Sequence, residues 1–348
     1  QGPKQIQHVI AGETQIVNDK GKHEVIENVL EHPYKGMIYE IETMHSLFPL
    51  KITGEHPVLC LSNIEKGLSD EVIRKQIEKG TIKHDYIDAK ELDDKSMIAY
   101  SIPKYVSDVP SITNEDCYFY GIMLGNGYYN THNQTGHIAL HNKRKVEVLN
   151  FCKIYLETKC VQYEISDNGN MRRIQWHKNI ALPFRHSDIY DELKEKHVTK
   201  KWFHLPIQKS QHIIKGIIDA DDCKHKELVF ESTSLNLIEV MRYILLRMGV
   251  LTSGYVDDLV GAKHHTNNGS IEHKKISYVL NIPQTKTICE LLKIEKNGEF
   301  FKQFRCNDFV YTRIKSIKTS HYNGTLYDLQ MKEVHNYMTN NGIVHNGG

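Results

Sequence analysis

The sequence contains 348 residues, 40% of them hydrophobic and 25% charged, so we expect two domains rather than one ordinary core. No apolar run reaches the ~18–20 residues that a membrane helix needs, and a formal net charge of only +1 means that any DNA-binding surface must be local. The seven scattered cysteines include no C-x-x-C pair, which argues against a disulfide framework or zinc site and favours a reducing, intracellular compartment.

Short strands are predicted at both ends of the chain. Near the N-terminus, β-rich runs separated by Gly, Asp, Asn and Pro residues cover Gln15–Val17, Val25–Val29, Met37–Ile41 and Leu47–Thr53. In the C-terminal region the turn signals are Asn323-Gly324 and Asn341-Gly342. The β-rich runs around these turn signals are Phe309–Ile317, Thr325–Met331, Tyr337–Thr339 and Ile343–His345.

The middle of the chain, from about residue 114 to residue 299, contains long amphipathic helical stretches. In Leu235–Gly249, for example, apolar residues recur at spacings of three and four. Pro110 and Asn297-Gly298 lie at the two boundaries of this region. The sequence therefore predicts an all-β module that is split by an inserted α/β module.

The middle region carries a degenerate internal repeat, since Tyr120–Gly127 is echoed by Lys215–Asp222. In each copy two small residues stand four apart on one helix face, where they let two helix backbones approach closely. These residues are Gly121 and Gly125, and Gly216 and Ala220. If the helices pair about a local two-fold, the next residues, Asn126 and Asp221, meet at the C-terminal helix ends. Acids in that position would suit Mg²⁺, which can clamp a phosphate and activate water. The simpler alternative is a pair of glycine-containing core helices.

This repeat resembles the LAGLIDADG motif of homing endonucleases, with supporting flanks at Phe203–Pro206 and Phe230–Ser234. The resemblance covers roughly residues 114–300. It implies two pseudo-symmetric αββαββα repeats, about 114–205 and 206–300, that bind a long asymmetric target in double-stranded DNA. It also implies a Mg²⁺ cofactor and a monomer.

The same resemblance places the metal-binding and catalytic carboxylates at Asn126 and Asp221, with Gly125 and Ala220 as further metal ligands. Asn126 departs from the family, because a neutral amide stands where an acid is expected, and this change should reduce or abolish strand cleavage. Asp222 replaces the terminal glycine of the motif. The lysines that accompany such sites have four candidates by position: Lys143, Lys145, Lys224 and Lys286.

The chain ends suggest a second chemistry. In His345-Asn346-Gly347, the Asn346 side-chain amide can attack its own carbonyl carbon, form a succinimide and break the bond to Gly347. The step needs protonation of the leaving amine and stabilisation of the oxyanion, which His345 and His335 can supply. A lone His-Asn pair is usually a surface turn, so this assignment depends on the motifs at the other end of the chain.

Those motifs resemble the conserved blocks of inteins. Thr53-Gly54-Glu55-His56-Pro57 resembles the block whose Thr and His flank the N-terminal scissile peptide, and Ala11–Val17 resembles the first intein strand. Tyr327–Met331 resembles the strand that carries the catalytic Asp, which places that role at Asp328. The blocks lie on both sides of the insert, in the order found in inteins.

The resemblance to inteins implies a horseshoe-shaped Hint splicing domain made of residues 9–110 and 301–346, with the endonuclease domain inserted at 111–300. Residues 1–8 would then be a flanking segment of a host protein, an extein, or a remnant of an expression design, and residues 347–348 would be the flanking residues on the C-terminal side. We expect no membrane partner, no cofactor for splicing, and an intracellular location, cytoplasm or nucleus, that follows the host.

Two departures concern splicing. The N-terminal Cys or Ser of the family aligns with Val9, which has no nucleophile, and the neighbouring His8 is not a standard acyl acceptor in this step. Gly347 stands where Cys, Ser or Thr is expected. Cleavage after Asn346 needs neither nucleophile, so it could survive without ligation.

Two alternative functions remain. One is a free-standing homing endonuclease with a vestigial Hint domain, and the other is a hedgehog-type autoprocessing domain, which the insert and Asn346 argue against.

Overall fold

We describe the protein from a computed structural model, which covers residues 4–130, 135–177, 181–221, 228–266, 269–295 and 303–346. The chain divides into two compact units. The terminal unit is built from Pro3–Tyr105, Gly249–Tyr255 and Gly298–Gly348, and the central unit mainly from Val106–Met248 and Val256–Asn297. Among the described residues, no helix is long and apolar enough to cross a membrane.

The segment Gly249–Tyr255 lies within the predicted insert, yet it clusters with the terminal unit. Two hydrogen bonds explain this placement: Leu251 N donates to Gln303 Oε1 (2.8 Å), and Gln303 Nε2 donates to Leu251 O (3.0 Å).

The regular structure in the N-terminal part of the terminal unit is mainly strand, as its β-rich runs predict. Two short 3₁₀ helices, η1 (Ile6–His8) and η2 (Ala89–Glu91), and the helix α1 (Asp70–Glu78) accompany the strands. Ser69 caps α1 by accepting from Val72 N. The strands are β1 (Gln15–Val17), β2 (His23–Thr43), β3 (Leu50–Thr53), β4 (Pro57–Leu61), β5 (His84–Asp88) and β6 (Met97–Ser101).

The central unit alternates helices and strands. Its first half contains α2 (Asn114–Asn126), β7 (Gly127–Tyr129), β8 (Gly136–His141), α3 (Val146–Thr158), β9 (Tyr163–Asn168), β10 (Met171–Trp176), η3 (His186–Asp188) and α4 (Lys200–Phe203). Its second half contains α5 (Ile207–Ala220), β11 (Leu228–Ser232), α6 (Leu235–Arg247), the end of β12 (Ser253–Asp257), β13 (Lys263–Thr266), β14 (Gly269–Glu272), β15 (Ser277–Ile282) and α7 (Lys286–Leu292).

The two halves of the central unit differ in strand order. The first half runs α2–β7–β8–α3–β9–β10, and its strands form one sheet in the order β7–β8–β10–β9. In the second half one described strand, β11, lies between α5 and α6, and the sheet order is β11–β15–β12. Residues 222–227, which precede β11, lie outside the described residues.

The chain returns to the terminal unit through β16 (Gln303–Cys306), β17 (Phe309–Met331), β18 (Asn336–Thr339) and β19 (Gly342–His345). Both chain ends then share one ten-stranded sheet, with the central path β1–β2–β17–β6–β4–β19–β18. Its first and last strands approach each other, because Asp19 N donates to Asn336 Oδ1 at 2.8 Å. The sheet is therefore nearly closed, and it places the segment after β19 beside the segment before β4.

The predicted turn at Asn323-Gly324 is wrong. Both residues lie inside β17, which pairs with β2 from Ile314 to Met331, so that Gly324 stands opposite Tyr34. The Tyr322 ring covers Gly324 on the same strand, and its hydroxyl donates to Thr325 O at 2.9 Å. Pairing along a long ribbon outweighs the local turn preference of Asn-Gly here.

Each unit has its own apolar core. In the terminal unit, buried side chains of β4, β6, β17 and β19 pack with Ile73 of α1. The core of the central unit includes stacked aromatic rings, and Tyr120 of α2 lies on Trp202 with ring centroids 4.1 Å apart. Both tryptophans of the chain, Trp176 and Trp202, are fully buried in this second core.

Candidate functional sites

The first candidate site lies where β19 ends. Val344 pairs with Val58 of β4, and Asn336 pairs with His345 across the β18–β19 hairpin. The hairpin continues for one more residue, because Asn346 N donates to His335 O at 2.8 Å. Asn346 is consequently buried and held in place next to His335.

The imidazole of His345 lies against the carbonyl group of Asn346. Its Nδ1 is 2.8 Å from Asn346 O, and since a carbonyl oxygen only accepts, Nδ1 must carry the proton. The His335 ring is 6.0 Å away between centroids, and the Tyr86 ring meets His345 edge-on at 5.3 Å. This arrangement can stabilise negative charge on the Asn346 carbonyl oxygen. Nothing in the sequence marked Tyr86.

His56 faces the same site from the turn between β3 and β4. Its backbone N–H donates to Thr53 O (3.2 Å), which makes a compact turn of the predicted Thr-x-x-His pair. Burial lowers the pKa of His56, the Asp328 charge raises it, and His345 lowers it further, so these three groups lie within electrostatic range. The buried Nε2 of His56 has no hydrogen-bond partner within the described structure.

Asp328 enters the site from β17. Its Oδ1 accepts from Leu329 N at 2.8 Å and from the Tyr337 hydroxyl at 3.3 Å, and its side chain is buried. Burial and the Asp328 charge together hold the pKa of Tyr337 well above its ordinary value, so that this hydroxyl stays a donor. The structure thus brings together five predicted residues: His56, Asp328, His335, His345 and Asn346.

Val9 follows η1, which contacts β17. Its N–H donates to Ile6 O (3.1 Å) and its side chain is half-buried. Its isopropyl group supplies no nucleophile, whatever the geometry around it. Gly347 lies outside the described residues.

The second candidate site lies at the C-terminal ends of α2 and α5, which pack against each other along the repeated small residues. A β-carbon added to Gly121 would lie 3.0 Å from Gly216 Cα and closer still to the Ile213 carbonyl oxygen. A β-carbon added to Gly125 would lie 3.1 Å from Ala220 Cβ. The two small-x-x-x-small stripes therefore set the distance between the helices.

This packing brings the predicted metal residues together. Asn126 Nδ2 donates to Ala220 O at 2.6 Å, which links the end of α2 to the end of α5. Asp221 caps α5, and its backbone carbonyl accepts from the ammonium group of Lys145. One lysine of the four candidates is therefore at the site.

Two of the other lysine candidates stand elsewhere. Lys286 is exposed and forms an i,i+4 ion pair with Glu290 on α7, and Lys143 lies in the turn after β8. Lys224 and Asp222 lie outside the described residues.

Lys196, which sequence reasoning missed, lies at the end of α2. Its ammonium group donates to the carbonyl oxygens of Met123 (3.3 Å), Leu124 (2.8 Å) and Gly125 (3.1 Å). Burial lowers its pKa to about 8, while the charge of Asp221 acts in the opposite direction. Donation to three carbonyl oxygens at once requires the ammonium form of Lys196, whose charge neutralises the carbonyls that end the helix.

The donor set at the helix ends differs from the expected pair of acids. Among the described residues it contains one carboxylate, Asp221, one neutral amide, Asn126, and two ammonium groups, Lys145 and Lys196. Across the described residues, no cluster of three or more His, Cys, Asp or Glu side chains could hold a metal ion. A divalent cation prefers carboxylate oxygens without competing cations, so these residues do not fit Mg²⁺.

Comparison with known proteins relates the chain to one protein family. The family model described as the intein splicing domain matches residues 4–346. An uncharacterized protein of Methanocaldococcus jannaschii is 22% identical over 402 aligned positions, which cover 99% of this chain and 48% of that protein. The chain thus spans about half the length of this relative.

Solved structures with similarity to the chain include two homing endonucleases. One is I-DmoI in complex with DNA and Mn, with 12% identity and a TM-score of 0.36; the match covers 55% of this chain and 100% of that one. The other is I-WcaI bound to its DNA recognition sequence, with 12% identity and a TM-score of 0.31; the match covers 52% of this chain and 82% of that one.

Proposed function

Because the chain belongs to the intein splicing domain family, we propose that its terminal unit cleaves the peptide bond that follows Asn346. The observation that carries this proposal is the contact of His345 Nδ1 with Asn346 O, at 2.8 Å, on a residue held by His335. Members of the family act within longer precursors, and we propose the same for this chain.

The reaction we propose is cyclisation of Asn346. Its side-chain nitrogen attacks its own carbonyl carbon, a new C–N bond closes the succinimide, and the C–N bond to Gly347 breaks. The proton that leaves the attacking amide is balanced by the proton that the departing amine gains. His345 donates to the oxyanion through Nδ1, and His335, whose ring lies 6.0 Å away, is our candidate for the proton transfer.

At the other end of the unit we propose that acyl transfer cannot begin. We assign Thr53 and His56 the role of polarising the N-terminal scissile peptide, and we assign Asp328 the role of assisting them. Val9 offers no nucleophile to accept the acyl group, and Gly347 offers none for branching. The unit should therefore release a C-terminal fragment and leave the flanking segments unjoined.

A precursor with a different foreign domain at each end tests this function. After incubation, we expect the C-terminal domain to be released at the Asn346–Gly347 bond, while the N-terminal domain stays attached. An intact precursor under the same conditions, with the terminal unit folded, would refute the proposal.

For the central unit we propose sequence-specific binding of double-stranded DNA in the manner of LAGLIDADG homing endonucleases, with strand cleavage impaired. The support is the close approach of α2 and α5 at Gly121 and Gly216, which aligns two halves of similar helix content. Asn126 in place of an acid is the reason for expecting impaired cleavage.

Selection from duplexes with a randomised central segment tests this second function. We expect enrichment of one long asymmetric sequence that the full chain binds more tightly than its scrambled version at physiological salt. Binding of equal strength to both duplexes, lost steeply as salt rises, would indicate only non-specific contact with phosphates.

A further inference from the structure

The end of α2 is already occupied by a cation that belongs to the chain. The last carbonyls of a helix lack intrahelical partners and carry the negative end of the helix dipole, so they attract cations. Here the ammonium group of Lys196 contacts Met123, Leu124 and Gly125 oxygens at 3.3, 2.8 and 3.1 Å. These contacts use all three of its protons.

The corresponding oxygens of the second helix also have internal donors. Ala220 O accepts from Asn126 Nδ2 at 2.6 Å, and Asp221 O accepts from Lys145 Nζ. Both backbone ligands expected for a metal, those of Gly125 and Ala220, are thus engaged by donors of the chain itself. The Asp221 carboxylate acts on the Lys196 ammonium group, and the Lys145 ammonium group contacts the Asp221 carbonyl oxygen, so a divalent cation would meet two positive charges there.

Lys196 is held at this point by its own backbone. It pairs with Tyr190 in an isolated β-bridge, and the Asp191 carboxylate closes the intervening turn by accepting from Leu193 N and Glu195 N, both at 2.9 Å. The Lys196 carbonyl accepts from the Ser234 hydroxyl, the N-cap of α6. A lysine that only covered a surface would need neither the closed turn at Asp191 nor the hydrogen bond from Ser234 in the second half of the unit.

We propose that Lys196 replaces a divalent cation at this site, so that the central unit takes no metal ion between Asn126 and Asp221 and binds DNA without one. The second clause rests on the DNA-binding function proposed above, whereas the first depends only on the geometry of the helix ends. The exchange has two parts: Asn126 stands at the position where an acid is expected, and the ammonium group of Lys196 balances the helix carbonyls.

Binding of Mn²⁺ to the full chain, followed by electron paramagnetic resonance, tests the proposal. We expect the native chain and Asp221→Asn to bind Mn²⁺ equally weakly. The double variant Asn126→Asp with Lys196→Met should gain a saturable site at least tenfold tighter, and adding Asp221→Asn to it should remove the gain. As a matched control, Asn126→Asp with Lys143→Met keeps Lys196 and should gain much less.

Saturable Mn²⁺ binding by the native chain that Asp221→Asn abolishes would overturn the proposal, and so would a folded double variant without any gain. Tryptophan fluorescence checks folding, since both tryptophans lie in the central core. If the double variant fails to fold, the comparison of the native chain with Asp221→Asn still decides. DNA binding is measured separately in EDTA: its absence would refute the proposed DNA function, and its dependence on added Mg²⁺ would refute the exchange.

Discussion

The two candidate sites differ in how their polar groups are satisfied. At the terminal site, the buried Nε2 of His56 has no hydrogen-bond partner within the described structure, and His345 points its proton at a carbonyl group that the proposed reaction attacks. At the central site, the oxygens of Gly125 and Ala220 already have donors from Lys196 and Asn126. The terminal site therefore has polar groups that are available to a reacting peptide bond. At the central site the expected metal ligands are already used in contacts that hold the two helices together.

The largest effect is expected when the reacting side chain of the terminal site is removed. Asn346→Ala should abolish release of the C-terminal fragment, because alanine has no amide to attack the carbonyl carbon. Asn340→Ala, on the exposed turn of the same hairpin, is the matched control and should cleave normally. Release from the Asn346→Ala precursor, measured on gels over time, would show that water or another group breaks the bond.

The next effect concerns the oxyanion. His345→Ala should slow cleavage by about 100-fold, the usual loss when one donor to a developing oxyanion is removed. His321→Ala, at an exposed position on β17, serves as the control. Similar rates for His345→Ala and the native chain would mean that the 2.8 Å contact has no part in the reaction.

A substitution in the central unit should instead act on stability and leave cleavage after Asn346 intact. Gly216→Val places methyl groups against the Tyr118 carbonyl oxygen and Gly121 Cα, and should lower the free energy of unfolding of this unit by about 1–3 kcal/mol. Urea unfolding followed by tryptophan fluorescence reports on this unit alone. Glu115→Val, at an exposed position of α2, should cost much less, and equal costs would argue against close helix packing.

The smallest expected effect is a pH dependence at the terminal site. Because burial lowers the pKa of His56, the unfolded chain binds its proton more readily, so the terminal unit should lose stability as pH falls below about 6.5. His56→Gln should flatten that decline, as measured by hydrogen exchange of terminal-unit amides. His32→Gln, at an exposed position on β2, should leave the decline unchanged; equal slopes in all three proteins would place His56 in an ordinary solvated setting.

Local patterns in the sequence predicted much of both sites. The small-residue stripes of Gly121 and Gly216 specify helix packing directly, and the His345-Asn346 pair needs only its neighbouring strand to become a site. Contacts between distant segments could not be predicted in this way. Asn323-Gly324 has the local sequence of a turn, and only its pairing with the distant strand β2 makes it part of a strand. Lys196 belongs to a charged run, Asp191–Lys196, that has the composition of a solvated surface loop.

The most direct test of the proposed chemistry is the mass of the fragments from a precursor extended at both ends. We expect the N-terminal product to carry the cyclised form of Asn346, lighter than the hydrolysed form by the mass of one water, and the C-terminal product to begin at Gly347. A product in which the two flanking domains are joined would contradict the assignment of Val9 as a residue that blocks the first step. A fragment ending in uncyclised Asn346 from the earliest time point would contradict the assignment of Asn346 as the nucleophile.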